Sequence, residues 1–376
     1  MCPAQARPGR VFPSNPPTVP SRPTRLPFRS APYAPQLDTI GIGHRADQNP
    51  ALGIQHNYGP ESIEFMKTAK LIVWLVIFSA ATSWAAAMGG AARTVIPSDV
   101  QQIITVDYRA IKNSNTAMAL KQQVLPPSLK QFEVSLKAAG IDPDKDVDQL
   151  TFASYRKAKE GLKVVGIAQG SFSEKVFVKK AKLKHVKPGK YRDAEIYSMS
   201  GGMEMTFLDE NTLLFGDSGA LRGALDARDG YASTLDSNSQ IADMIGGVES
   251  GTVWSVLDQQ GSQNMLLSAL GDAGKLADFN TVKKHVLGSR YAMNFQSGVN
   301  FDLDVVTSDS VTAATLSSLV KAGVLYRKMT ATPVEKLALE GVTIDSDSSN
   351  LQMHFKADDK QFQSLMHSDL FAAVSK

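Results

Sequence analysis

The chain has 376 residues, long enough for two ordinary domains, and its 43% hydrophobic and 20% charged fractions are those of a globular protein, not a fibrous or wholly disordered one. Its formal charge of +3 is unevenly spread: residues 1–65 carry six Arg against four acids, Lys67 and Lys70 add two charges, and residues 88–376 hold 32 basic and 33 acidic side chains. A near-neutral body excludes bulk attraction to nucleic acid. The single cysteine, Cys2, excludes disulfides, thiolate metal sites and a cysteine nucleophile from any chain that starts after Ala87.

Residues 1–65 hold 12 of the 18 prolines and show no sustained apolar periodicity. Such a composition buries too little surface to offset chain entropy, so disorder is expected. The basic residues here are all Arg, whereas residues 66–376 use 26 Lys and eight Arg. Two readings are open: translation starts at Met66, or the segment is a disordered cytoplasmic tail ahead of a membrane anchor.

Residues 66–92 have the layout of a signal peptide. A basic start with Lys67 and Lys70 precedes the apolar core Leu71, Ile72, Val73, Trp74, Leu75, Val76, Ile77 and Phe78. Small residues follow, with Ala85 and Ala87 at the −3 and −1 positions of an A-x-A cleavage site. No Cys stands at that point, which excludes a lipidated N-terminus there. The uncharged stretch 71–92 has 22 residues, long enough to span a bilayer, so an uncleaved anchor is the alternative. Either way residues 93–376 are expected outside the cytoplasmic membrane, periplasmic or extracellular.

From 93 to 230 the patterns predict a strand at 102–108 and helices at 110–124 and 127–139. The second helix starts at Pro127 and stops before Gly140. A hairpin is expected from 150–155 and 162–172. Next come a basic helix from Ser173 to about Lys184, a meander of 195–199, 203–208 and 212–215, and a helix over 218–228. From 231 to 376 a short linking helix at 238–245 precedes a strand at 252–257 and helical runs up to His285. A hairpin of 290–295 and 299–306 follows, then a helix from Ser310 to about Met329 and another at 333–340. Strands at 342–344 and 351–355 and a closing helix over 358–374 complete the chain.

Both stretches read strand, helix, helix, hairpin, helix, small antiparallel unit, helix. The fold class expected is α+β, with two similar halves and mainly antiparallel sheets. Ser173 and Ser310 are 137 residues apart, and Ser218 and Asp358 are 140 apart, which points to an internal duplication. The run Ile96-Pro97-Ser98-Asp99 and the segment 140–146 (Gly-Ile-Asp-Pro-Asp-Lys-Asp) before a strand carry a loose resemblance over 90–376. In them the chain resembles uncharacterised exported bacterial proteins with a signal peptide and a duplicated α+β body, a resemblance that implies no activity.

Several patterns carry chemistry. Gly216-Asp217-Ser218-Gly219-Ala220 looks like a serine-protease nucleophile loop. No His lies between 88 and 184, however, and Ser218 stands where a helix cap is expected. Asp142, Asp144, Asp146 and Asp148 alternate as in the opening of an EF-hand, but Val147 and Ala153 replace the required Gly and Glu, which favours a turn with solvated acids. Asp302 and Asp304 share one face of a strand about 7 Å apart. They are the candidates for an envelope hydrolase, against a wet sheet face as the simpler account. The densest basic stretch is Lys175, Lys179, Lys180, Lys182 and Lys184, continued by Lys187, Lys190 and Arg192; it suits a polyanion or anionic headgroups. Val176, Phe177, Val178, Ala181 and Leu183 are expected to form the apolar stripe of that helix. His185, His285, His354 and His367 show no metal-ligand spacing.

With no complete catalytic constellation and no cofactor fingerprint, a non-enzymatic exported binding or scaffold protein is expected. Its partner would be an envelope protein or polymer, with an anionic membrane surface as a further partner and no nucleic acid. The alternatives are a carboxylate hydrolase and a membrane-anchored accessory subunit.

Overall fold

The computed structural model describes residues 87–157, 161–270, 279–368 and 371, all within one compact unit. The expected disordered segment 1–65 and the apolar core 71–78 with Ala85 lie outside the described residues.

In chain order, α1 (Gly90–Val95) precedes β1 (Val100–Asp107). Then α2 (Tyr108–Ile111), α3 (Asn115–Val124), α4 (Pro127–Ala139) and α5 (Pro143–Asp146) lead to the hairpin β2 (Val147–Lys157) and β3 (Gly161–Gly170). Next are α6 (Glu174–Leu183), β4 (Gly189–Tyr191), β5 (Ala194–Ser198), β6 (Glu204–Asp209), β7 (Thr212–Gly216), α7 (Ser218–Arg228) and α8 (Ser239–Gly246). The remainder is β8 (Val253–Leu257), α9 (Gln259–Leu270), α10 (Phe279–Lys283), β9 (Val286–Asn294), β10 (Val299–Thr307) and α11 (Ser310–Thr330). It closes with α12 (Pro333–Glu340), β11 (Val342–Asp347), β12 (Asn350–Ala357) and α13 (Asp359–Met366).

The strands build one 12-stranded sheet in the order β11-β12-β10-β9-β8-β1-β2-β3-β7-β6-β5-β4, antiparallel at each pairing. The fold is therefore α+β with an antiparallel sheet. Outward from the central pair the order is β1-β2-β3-β7-β6-β5-β4 on one side and β8-β9-β10-β12-β11 on the other.

Cross-strand partners project to the same side of a sheet, so the register defines the two faces. Tyr197, Met205, Phe215, Gly166, Phe152, Ile104, Ser255, Tyr291, Leu303, Met353 and Ile344 form one row across eleven strands. This face takes α2, α4 and α6 over the first half, and α9, α11, α12 and α13 over the second. The opposite row runs Gly216, Val165, Ala153, Ile103 and Val256, then changes to Arg290, Asp304, Gln352 and Asp345. The apolar part is covered by α1, α7 and α8. Beyond β9 the same face lies open, with Asp302, Thr343, Asp345, His354 and Lys356 exposed.

Several expectations are corrected locally. The first predicted helix is two, because the chain turns at 112–114 and Ser114 caps α3 through the Ala117 N–H. The caps of α7 and α11 are Asp217 and Asp309, not Ser218 and Ser310: each aspartate has extended backbone and accepts from the amide three residues on. The expected closing helix is interrupted at 367–368: α13 opens on a capping box of Asp358 and Gln361 and is capped by His367, while 369–370 and 372–374 of the expected run lie outside the described residues. The unpredicted strand β4 pairs with β5 across a turn in which Arg192 takes φ 56. Met88 and Ala92, counted by sequence in the uncharged stretch, are buried in the core beneath α7 and α8.

Candidate functional site

The basic helix α6 is seated by Phe177, whose ring meets Tyr197 and Phe207 edge-on at 5.0 and 5.3 Å between centroids. Ala181, one turn on, is buried beside it. That pair fixes the helix rotation. Lys175, Lys179 and Lys182, at i, i+4 and i+7, share a side turned to solvent, where an open groove runs past them and Glu174, Val178, Leu183 and His185. None of these three lysines has an ion-pair partner among the described residues. The other two lysines behave differently. Lys184 Nζ donates to the carbonyl of Ala138 at 3.3 Å, and the Lys180 ammonium lies against Gly140, so both reach the C-terminal end of α4. That is where a helix favours positive charge.

The expected apolar stripe is corrected. Phe177 and Ala181 are buried and Val178 is half-buried, but Val176 is 44% and Leu183 73% exposed. At 100° per residue Val176 and Leu183 fall together, away from the Phe177 side and beside Lys179 and Lys180. The outer surface of α6 is thus mixed apolar and cationic.

The other candidates resolve into structural roles. Asp142 caps α5 and Asp146 accepts from the Asp142 N–H at 2.7 Å. Asp144 lies 2.7 Å from both Lys137 Nζ and the Tyr108 hydroxyl, and Asp148 pairs with Arg109 at 2.6 Å. The run is a cross-braced helix-to-strand turn; no group of acids and histidines among the described residues could hold a metal ion. The Lys137 ammonium and the Tyr108 hydroxyl hold the Asp144 carboxyl below its ordinary range. Burial, then the bond to Asp144, pushes the Tyr108 hydroxyl far up, so it stays protonated between Asp144 and Lys121, whose Nζ donates to it at 2.6 Å.

Asp302 and Asp304 do share the open face, yet they do not act together. Asp302 is bonded to His354 Nδ1 at 2.6 Å and Asp304 to Arg290 Nε at 3.0 Å, each across the strand pair. Of the remaining histidines, His285 Nδ1 lies 2.9 Å from Ser308 Oγ, which itself donates to Asp309 at 2.8 Å. A Ser-His-Asp set needs the acid on the histidine nitrogen remote from the serine. Here both partners crowd Nδ1, and Asp309 is already occupied as the cap of α11. The amide and hydroxyl of Thr312 and the hydroxyl of Ser308 lower the Asp309 carboxyl to about 2.

The comparisons with known proteins close the account of the site. No family model and no curated protein matches this chain. Among solved structures, crystal form I of TP0453 aligns with a TM-score of 0.42 at 8% identity, covering 75% of this chain and 98% of that one. Crystal form III of TP0453 aligns at 0.42 and 9% identity over 73% of this chain and 96% of that one. At these scores the likeness carries no inference about the site, and the functional reading rests on the residues themselves.

Proposed function

We propose that residues 93–376 form an exported, non-enzymatic binding module that holds an anionic envelope surface through Lys175, Lys179 and Lys182. The observation that carries this reading is the seating of α6: two buried residues turn outward, on one side, three lysines that have no ion pair among the described residues. Elsewhere Asp142 and Asp309 serve as helix caps, and Asp302 and Asp304 are taken up in cross-strand pairs with His354 and Arg290.

The test is elution of the full chain from an immobilised polyanion. Replacing Lys175, Lys179 and Lys182 together by Glu is expected to lower the eluting salt concentration markedly, whereas Lys180→Gln with Lys184→Gln changes it little. Equal losses from the two variants would refute the assignment.

Export is proposed from the signal layout of residues 66–87. N-terminal sequencing of the protein from its native compartment is expected to read Met-Gly-Gly-Ala from Met88; a chain starting at Met1 or Met66 would refute cleavage. We further propose that the body arose by duplication of one α+β unit. The support is the matched order of five strands on each side of the β1·β8 seam, with β5 and β4 added beyond them on one side.

A further inference from the structure

The exposed side of α11 lacks what a solvent-facing helix ordinarily shows. The helix has 21 residues, about 31 Å of length. It buries Thr312, Ala313, Leu316 and Ser317, with Val320 and Val324 partly covered by the sheet. Toward solvent it presents Val311, then Ala314, Thr315, Ser318 and Ala322, and in its last turns Leu325, Tyr326 and Met329, these three 66%, 62% and 76% exposed. The adjoining α12 adds Val334 and Leu337, also exposed. A surface helix normally places charge on this side. Here the charges of α11 are Lys321, Arg327 and Lys328, with no acid along the helix. Of the acids on α12, Glu335 is buried and faces Arg327, and Glu340 stands at the far end.

We infer that the α11–α12 face seats in the interface of an anionic lipid membrane. This rests on the reading above that the partner is an anionic surface, and deepens it by naming lipid. The charge complementarity rests on Lys328, beside the apolar end of α11, while Lys321 further back lies 3.7 Å from Asp345 of β11. A cation bordering an apolar helix surface is the pattern of a helix lying in the headgroup region, the ammonium toward the phosphates and the apolar side chains about 5–10 Å deep. None of the described helices is long and apolar enough to cross a membrane, so the contact is peripheral. The register adds an independent argument. α6 packs on Tyr197 and Phe207, and α11 on the side of Leu303 and Ile344, which is the same face of the sheet. Both helices therefore stand on one face of the sheet, while Asp302 and Asp304 lie on the other face.

The test places a fluorescent label on the full chain by Tyr326→Cys in a Cys2→Ser background, with Thr343→Cys on the opposite face as control. Both positions are exposed, and an unchanged unfolding midpoint verifies folding. Vesicles of phosphatidylglycerol or phosphatidylcholine carry an acyl-chain nitroxide quencher. In phosphatidylglycerol the label at 326 is expected to be quenched about threefold or more over the control, and far less in phosphatidylcholine. Because the readout is local, attachment of the chain through another segment does not mimic it. Equal quenching at 326 and 343, or equal quenching in the two lipids, overturns the proposal. A label at 326 shielded from aqueous iodide without vesicles would mean that a second copy covers the face, and also overturns it. Quenching that persists when Lys175, Lys179 and Lys182 are changed to Glu supports the α11 contact and counts only against the α6 reading.

Discussion

Gly166 lies in mid-strand where the Phe215 ring of β7 crosses it. A Cβ built there would stand 2.2 Å from Cζ and 2.4 Å from Cε2 of that ring. The ring has little freedom to yield, being stacked on Phe132 of α4 at 4.8 Å and met edge-on by Phe152 at 5.8 Å. Gly166→Ala must therefore spread an aromatic trio that binds α4 to the sheet. Overpacking costs about 1–3 kcal/mol. Weakening two aromatic pairs adds about 0.5–1.5 kcal/mol each. Against this, Ala in a strand recovers about 0.5–1 kcal/mol of backbone entropy relative to Gly. The expected net loss is about 2–4 kcal/mol. Phe215→Leu alone should cost about 1–3 kcal/mol through the lost ring contacts and shrunken side chain. In the double variant leucine leaves room for the new methyl, so the two losses should fall short of additivity by about 1 kcal/mol or more. Urea unfolding followed by circular dichroism measures all three variants. A near-neutral Gly166→Ala, or additivity within about 0.5 kcal/mol, would refute the reasoning.

Two further outcomes are expected. Glu335→Ala removes the capping box of α12 and the carboxylate facing Arg327, and should cost about 1–3 kcal/mol, discounted because the Arg327 side chain is 43% exposed. Urea unfolding checks it, and a loss under about 0.5 kcal/mol would show that neither contact matters. Asp309 is held at about 2 against an ordinary 3.8, so its contribution is complete above pH 4 and is lost as the pH falls toward 2. A carboxyl-carbon NMR titration should place its midpoint well below that of ordinary aspartates, and a midpoint at or above 3.8 would exclude the cap network as described.

The helix and strand positions were largely legible, because periodicity and Pro/Gly punctuation are local signals. Pro127 does open α4, and Gly140 closes it in the left-handed conformation at φ 96. What local signals do not carry is partnership. Nothing in 102–108 announces that β1 joins β2 on one side and β8 on the other, or that β3 takes β7 as its neighbour before β6. The caps were displaced by one residue because Asp-Ser occurs at both sites and either residue suits the role by composition; the backbone conformation selects the aspartate. At the candidate site the exposure of Lys175, Lys179 and Lys182 follows from charge alone. The exposure of Val176 and Leu183 does not, since it depends on Phe177 finding the pocket between Tyr197 and Phe207. The apolar outer side of α11 was in the sequence as a near absence of charge. A helix with so few charges reads equally well as a buried one.

The pairing of β1 with β8 has a consequence for how the chain reaches its native state. Gln102 and Ser255, bonded across that seam, are 153 residues apart, and Asp359 of α13 bonds to Thr116 of α3 across 243 residues. Met366 of the same helix receives the Gln123 side-chain amide, and Leu120 packs into the cluster of Phe362 and Leu365. As the chain emerges from its N-terminus, the edge of β1 waits unpaired until more than half of the remainder is made, and the seat for α13 stays empty until nearly the last residue. Such contacts slow folding and prolong the exposure of a free strand edge. The molecule is thus a late closer, whose first-made half is guarded only once α13 has docked.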